Sequence, residues 1–156
     1  MKNTTLCYIE HQDKVLMLYR NKKKDDINEG KWIGIGGKFM ENESPEECML
    51  REVFEETGIK PASWKYRAVV TFVCDLCEGE YMHLFTATAD SFDFSDCTEG
   101  ELKWIDKDKI LSLNLWEGDK LFLKALYNSE EFFSLKLCYK GDKLINAIKN
   151  GLENLQ

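Results

Sequence analysis

The chain predicts an α/β domain in which a mixed β-sheet is flanked by helices. Three observations carry this. Two pairs of strand-forming segments lie on either side of a strongly capped acidic helix. A second helical pattern follows near residue 119. No linker, repeat or low-complexity tract divides the chain. At 156 residues with 44% hydrophobic content, it suffices for one domain, 1–156, around a sizeable core.

Taken in order, Thr4–Glu10 and Lys14–Arg20 are rich in strand formers and read as an antiparallel hairpin through His11-Gln12-Asp13. Asn21–Gly30 is a polar, charged loop whose Lys22-Lys23-Lys24 run reads first as a solvated tip and second as a phosphate contact. Trp32–Phe39 is a strand leading into the acidic helix, Pro45–Thr57. Trp64–Leu76 and Glu80–Ala89 form a second hairpin closed near Glu78-Gly79, and Glu101–Ile105 is another strand. Asp119–Tyr127 is helical, Phe132–Tyr139 is a strand, and Gly141-Asp142 turns the chain. In the tail, Leu144, Ile145, Ile148, Leu152 and Leu155 fall on one helical stripe, which predicts a final helix packed on the body.

The acidic helix carries the chemistry. Ser44 is the N-cap, Pro45 takes the first helical position and Glu47 closes a capping box. Gly58 is a natural stop, since glycine takes the left-handed conformation freely. Leu50, Val53, Phe54 and Thr57 form the predicted core stripe. Glu52, Glu55 and Glu56 recur at i, i+3 and i+4 on another face, so their carboxylates converge and repel unless a cation sits among them. Hard oxygen ligands crowded this way suit Mg²⁺ or Mn²⁺. Arg51, four residues before Glu55, is placed to orient them, and Gly36-Gly37 ahead of the helix lets backbone approach a phosphate or metal.

Gly37, Glu43, Arg51, Glu52, Val53, Glu55, Glu56, Gly58 and Ile59 match G-x5-E-x7-R-E-U-x-E-E-x-G-U at every position, U being apolar. With ordinary residue frequencies the seven fixed matches arise by chance with a probability on the order of 10⁻⁸ per start. The chain therefore resembles the Nudix hydrolases, which cleave nucleoside diphosphates linked to another group. The resemblance implies an αβα sandwich and metal ligation by Glu52, Glu55, Glu56 and the carbonyl of Gly37. It also implies attack by a metal-activated water at a bridging phosphate, with Glu99 assisting as ligand or base and Glu101 in reserve.

Gly30-Lys31-Trp32, Gly34-Ile35-Gly36-Gly37-Lys38 and Leu115-Trp116-Glu117-Gly118-Asp119 look like the MutT-type 8-oxo-dGTP diphosphatases, which release nucleoside monophosphate and pyrophosphate and cleanse the nucleotide pool. That likeness implies a substrate site in which Trp116 stacks on a purine and Asp119 meets its edge, with Lys38 and Ile33 nearby. One departure matters. A family member reads the base with Asn at the place of Ile33, and isoleucine forms no hydrogen bond, so the residue sensing oxidation stays open.

The net charge of −7 argues against a polynucleotide partner, which needs a basic surface. A small nucleotide remains compatible, because bound metal supplies positive charge. No stretch has the apolar length of a membrane span and no signal-peptide pattern precedes the first strand, so a cytoplasmic enzyme without membrane contact is expected. Cys7, Cys48, Cys74, Cys77, Cys97 and Cys138 lack a secreted-scaffold spacing and read as free thiols. Cys74-Asp-Leu-Cys77 has redox or zinc spacing, but no second pair completes a zinc site, and two strand-end cysteines is the simpler reading.

Overall fold

The computed structural model describes residues 1–156. Nine strands form one mixed sheet: β1 (Lys2–His11), β2 (Lys14–Tyr19), β3 (Trp32–Ile33), β4 (Ser63–Cys74), β5 (Glu80–Thr88), β6 (Glu101–Asp106), β7 (Phe133–Lys140), β8 (Lys143–Lys149) and β9 (Glu153–Asn154). Their order is β3-β2-β1-β5-β4-β7-β8-β9, and β6 also pairs with β2. The predicted hairpins are antiparallel pairs, while β1 with β5 and β4 with β7 are parallel.

Helices α1 (Pro45–Thr57) and α2 (Glu117–Asn128) cover opposite faces of the sheet. Strand alternation sends Cys7 and Ile9 toward α1, against Met49 and Val53, and Tyr8 toward α2, against Phe122, Leu123 and Leu126. Full burial of such side chains stabilises by about 1.5–3 kcal/mol each. The result is the αβα sandwich.

Helix α1 begins and ends as its residues dictate. The Ser44 hydroxyl accepts from the Glu47 amide at 3.1 Å, and the Glu47 carboxylate accepts from the Ser44 amide at 3.0 Å. Gly58 stops it at φ 73°, its N–H donating to the Phe54 carbonyl. The buried stripe is set differently from the expectation. Cys48, Met49, Val53 and Thr57 are buried, whereas Phe54 is half exposed. Glu52 and Glu56, three and seven residues after Met49, consequently flank the buried stripe.

The tail is the principal correction. It does not form a helix. The turn at Gly141 (φ 61°) returns the chain antiparallel to β7 as β8, and β9 adds a further short pairing. Leu144 and Ala147 are buried beneath α2, while Ile145 and Leu152 face solvent, so the helical stripe never meets a core. Backbone groups along β7 need partners, and the returning chain supplies them. The Trp32–Phe39 strand is also broken up: β3 spans two residues, followed by isolated bridges from Ile35 to Cys7 and from Lys38 to Thr4. Cys74 and Cys77 form a disulfide with Cα atoms 5.6 Å apart, correcting the expectation of six free thiols. Cys7, Cys48, Cys97 and Cys138 are free. No helix is long and apolar enough to cross a membrane.

Candidate active site

Two adjoining cavities occupy one end of the sheet. The first is a polar cleft whose walls include Gly36, Gly37, Lys38, Glu52, Glu56 and Glu99, with Arg20 and Lys23 also present. A β-carbon on Gly37 would fall on the Glu52 carboxylate, so the missing side chain leaves that carboxylate its place against the turn. The Gly37 carbonyl accepts from the Thr5 amide at 2.9 Å.

Arg51 is the hub that orders the acidic residues. Its guanidinium donates to Glu43 at 2.8 and 2.9 Å, to Glu52 at 2.7 Å and to Glu55 at 3.2 Å. It also donates to the Lys38 carbonyl at 3.0 Å, tying the glycine turn to the helix. These charge-assisted bonds hold the Glu43 carboxyl down at about 2.

The glutamates divide between two environments. Glu52 and Glu56 line the cleft, and Glu99 joins them from the segment before β6. Glu55 is 53% exposed, rests on Arg51 and does not line the cleft. Glu101 lies outside the cleft too, accepting from the Asn21 side chain at 3.0 Å. Glu99 is held by Arg20 at 3.0 Å, and Arg20, itself buried, is braced by Asp26 at 2.7 Å. Neither Arg20 nor Asp26 was marked in the sequence; only the fold joins the end of β2 to the loop before β6.

The donor set fits a hard divalent cation. Burial first, and then the adjacent Glu99 carboxylate, push the Glu56 carboxyl well above its ordinary range. One Glu56 oxygen is buried with no hydrogen-bond partner. Two neighbouring carboxylates, one with an unsatisfied oxygen, call for a proton or a cation between them. No three acidic, histidine or cysteine side chains are drawn into a tight cage, so a divalent ion held here would take its remaining donors from substrate oxygens and water.

The second cavity is an apolar slot lined by Leu6, Ile27, Ile33, Phe72, Met82 and Trp116, with polar Asn28 and Asp119. Trp116 stands edge-on to Phe72 and Tyr139, at centroid distances of 6.0 and 5.2 Å, which fixes its plane. Its indole N–H donates to the Asn28 side-chain oxygen at 2.8 Å, leaving the Asn28 amide nitrogen as a free donor. Sequence reasoning missed Asn28 because the charged loop that carries it shows no motif.

Asp119 sits in the first turn of α2, 6% exposed, with no side-chain hydrogen bond to the chain. Burial pushes its carboxyl up to about 8; nearby Lys31 works the other way and Glu80 adds to the rise. Lys2, Leu6, Asn28, Ile33, Glu80 and Met82 belong to both walls, so slot and cleft form one continuous depression.

The NUDIX domain family model matches residues 2–126. The chain belongs to the Nudix family. As a Nudix hydrolase it acts on phosphorus-containing anhydrides. It is 34% identical over 125 residues to the uncharacterized Nudix hydrolase YvcI of Bacillus subtilis, covering 76% of this chain and 75% of that one. It is 28% identical over 133 residues to the oxidized purine nucleoside triphosphate hydrolase of Danio rerio, covering 84% and 83%. Among solved structures, the MutT protein of Bacillus halodurans superposes with a TM-score of 0.85 at 26% identity, covering 98% of this chain and 100% of that one. The Nudix signature thus falls on α1 and the turn before it, where Arg51 and Gly37 order the cleft.

Proposed function

We propose that this Nudix hydrolase cleaves a purine nucleoside triphosphate, with an oxidised base such as that of 8-oxo-dGTP preferred, to nucleoside monophosphate and pyrophosphate. The observation that carries this reading is the continuity of an apolar slot, bearing unpaired polar groups, with a carboxylate cleft. A ligand with a flat heterocycle at one end and a polyphosphate at the other matches that shape and polarity. The relative described above as an oxidized purine nucleoside triphosphate hydrolase supports the same substrate class.

Glu52, Glu56, Glu99 and the Gly37 carbonyl would hold Mg²⁺ or Mn²⁺. A bound divalent ion neutralises phosphate oxygens and lowers the pKa of an attacking water. Arg51 orients Glu52, and Arg20 orients Glu99, which would serve either as a ligand or as the base that takes the water's proton. Glu55 would become a ligand only by turning from Arg51 into the cleft. Lys38 lends positive charge to the phosphate path, and Ile33 bridges the two cavities as an apolar wall.

In the slot, Trp116 offers an aromatic surface to the base, worth about 1–3 kcal/mol in comparable stacking sites. Asp119 and the free Asn28 amide face its polar edges. An amide donor suits a carbonyl oxygen, and so takes the reading role that Ile33 cannot fill.

The test is a panel of 8-oxo-dGTP, dGTP, dATP, 2-hydroxy-dATP, ADP-ribose and diadenosine polyphosphates with Mg²⁺. Pyrophosphate rather than orthophosphate is the expected product, with purine triphosphates turned over fastest. Preferential cleavage of ADP-ribose or a dinucleoside polyphosphate would overturn the proposal.

A further inference from the structure

The Cys74–Cys77 pair lies against the slot. Cys74 ends β4, is paired in register with Tyr139 of β7, and packs on the α2-side core. Cys77 stands on the β4–β5 turn and lines the slot together with Phe72, Gly79, Met82, Trp116 and Asp119. Little else fixes this wall. The last β4–β5 pair is Phe72 with Glu80, and Leu76, Cys77 and Glu78 make no backbone hydrogen bond. The turn is tied at its margins, by the Asp75 carboxylate accepting from the Gly141 amide at 2.9 Å and the Gly79 carbonyl accepting from the Lys2 amide at 3.4 Å. The position of Cys77 is therefore set mainly by its bond to Cys74.

We propose that Cys74 and Cys77 form a reversible thiol–disulfide site whose state sets the wall of the slot, a consequence that rests on the slot receiving the substrate's base. The reductant is a dithiol. One of its thiolates bonds to a protein sulfur and expels the other as a thiolate, which takes a proton. Its second sulfur then displaces the first protein sulfur, so that two electrons and two protons pass to the protein and the reductant leaves as a disulfide. Reduction removes the covalent tie between this turn and the end of β4, and no backbone hydrogen bond replaces it at Cys77. The Cys74 backbone stays in the β4–β7 ladder, so the residue that reduction frees is Cys77, on the wall of the slot.

The full-length protein is compared after incubation with oxidised glutathione and after reduction with dithiothreitol. Alkylation of the denatured protein followed by mass measurement is expected to find four reactive thiols of the six cysteines in the first sample and six in the second. On reduction, KM for the best purine triphosphate should rise about threefold or more with kcat nearly unchanged, the signature of binding lost equally from the ground and transition states. The Cys74→Ser/Cys77→Ser double variant should lose this response to reductant. Amide exchange in the peptide spanning residues 70–82, which needs no substrate, should quicken on reduction. Six reactive thiols in the oxidised sample would remove the site, and unchanged exchange would remove the wall's dependence on it, whatever the substrate is. Quickened exchange with an unaltered KM would refute the link to the base, and an equal KM response in the double variant would assign it to another cysteine.

Discussion

Asp119→Asn should make the protein's stability much less sensitive to alkaline pH. The Asp119 carboxyl has an ordinary value of 3.8 and is pushed up to about 8 in the fold, chiefly by burial. Between those values the folded state keeps a proton that the unfolded chain has lost. Stability is then fully present below 3.8 and declines as pH rises through 8, by about 1.36 kcal/mol per pH unit over the middle of the window. Integrated from pH 5 to pH 9, the loss attributable to Asp119 is on the order of 4 kcal/mol. Asparagine does not ionise, and Glu56 and other groups titrate in both proteins, so the difference between the two curves isolates Asp119. Urea unfolding of both proteins without ligand, at each pH unit across this range, measures it, provided the m-values agree. A difference that stays within about 1 kcal/mol from pH 5 to pH 9 would mean that Asp119 is not held neutral in the slot.

The same ionisation should steer base choice. An ionised Asp119 only accepts hydrogen bonds and so favours the N1–H and N2 amine of guanine, whereas the neutral acid can also donate to adenine N1. The ratio of kcat/KM for guanine over adenine nucleotides is therefore expected to increase between pH 6.5 and pH 9; a flat ratio would remove Asp119 from base contact. Asn28→Leu removes the amide donor and the Trp116 indole's acceptor together, and should reduce kcat/KM for the preferred purine by about tenfold or more while pyrophosphate remains the product; an unaltered nucleotide panel would rule out its reading role. Glu56→Gln should lower kcat by at least about 10²-fold with the circular dichroism spectrum retained, as loss of an electrostatic catalytic group does; near-normal turnover at saturating Mg²⁺ would refute its ligand role. In the tail, Ala147→Asp buries a carboxylate beneath α2 and should destabilise by several kcal/mol. Leu152→Lys, at a fully solvated position, should change stability by no more than about 0.5 kcal/mol in chemical denaturation.

The sequence alone determined whatever depends on neighbours within a few residues. The limits of α1 follow from Ser44, Pro45, Glu47 and Gly58, because capping bonds close within one helical turn. The Arg51 link to Glu55 follows from i, i+4 spacing, and the Gly37 approach to α1 from a short motif. The family and its reaction class were legible for the same reason. Only tertiary structure decided which glutamates share the cleft. Met49 rather than Phe54 anchors the core face of α1, and that rotation takes Glu52 and Glu56 toward Glu99 while leaving Glu55 outside. Asp26 and Asn28 reach the site from the long loop after β2, where local patterns give no register, and Arg20 meets Glu99 only because the fold brings the end of β2 beside the segment before β6. The tail carries a helical period of apolar residues, yet the edge of β7 offers it a full ladder of backbone hydrogen bonds, and pairing there overrides the period.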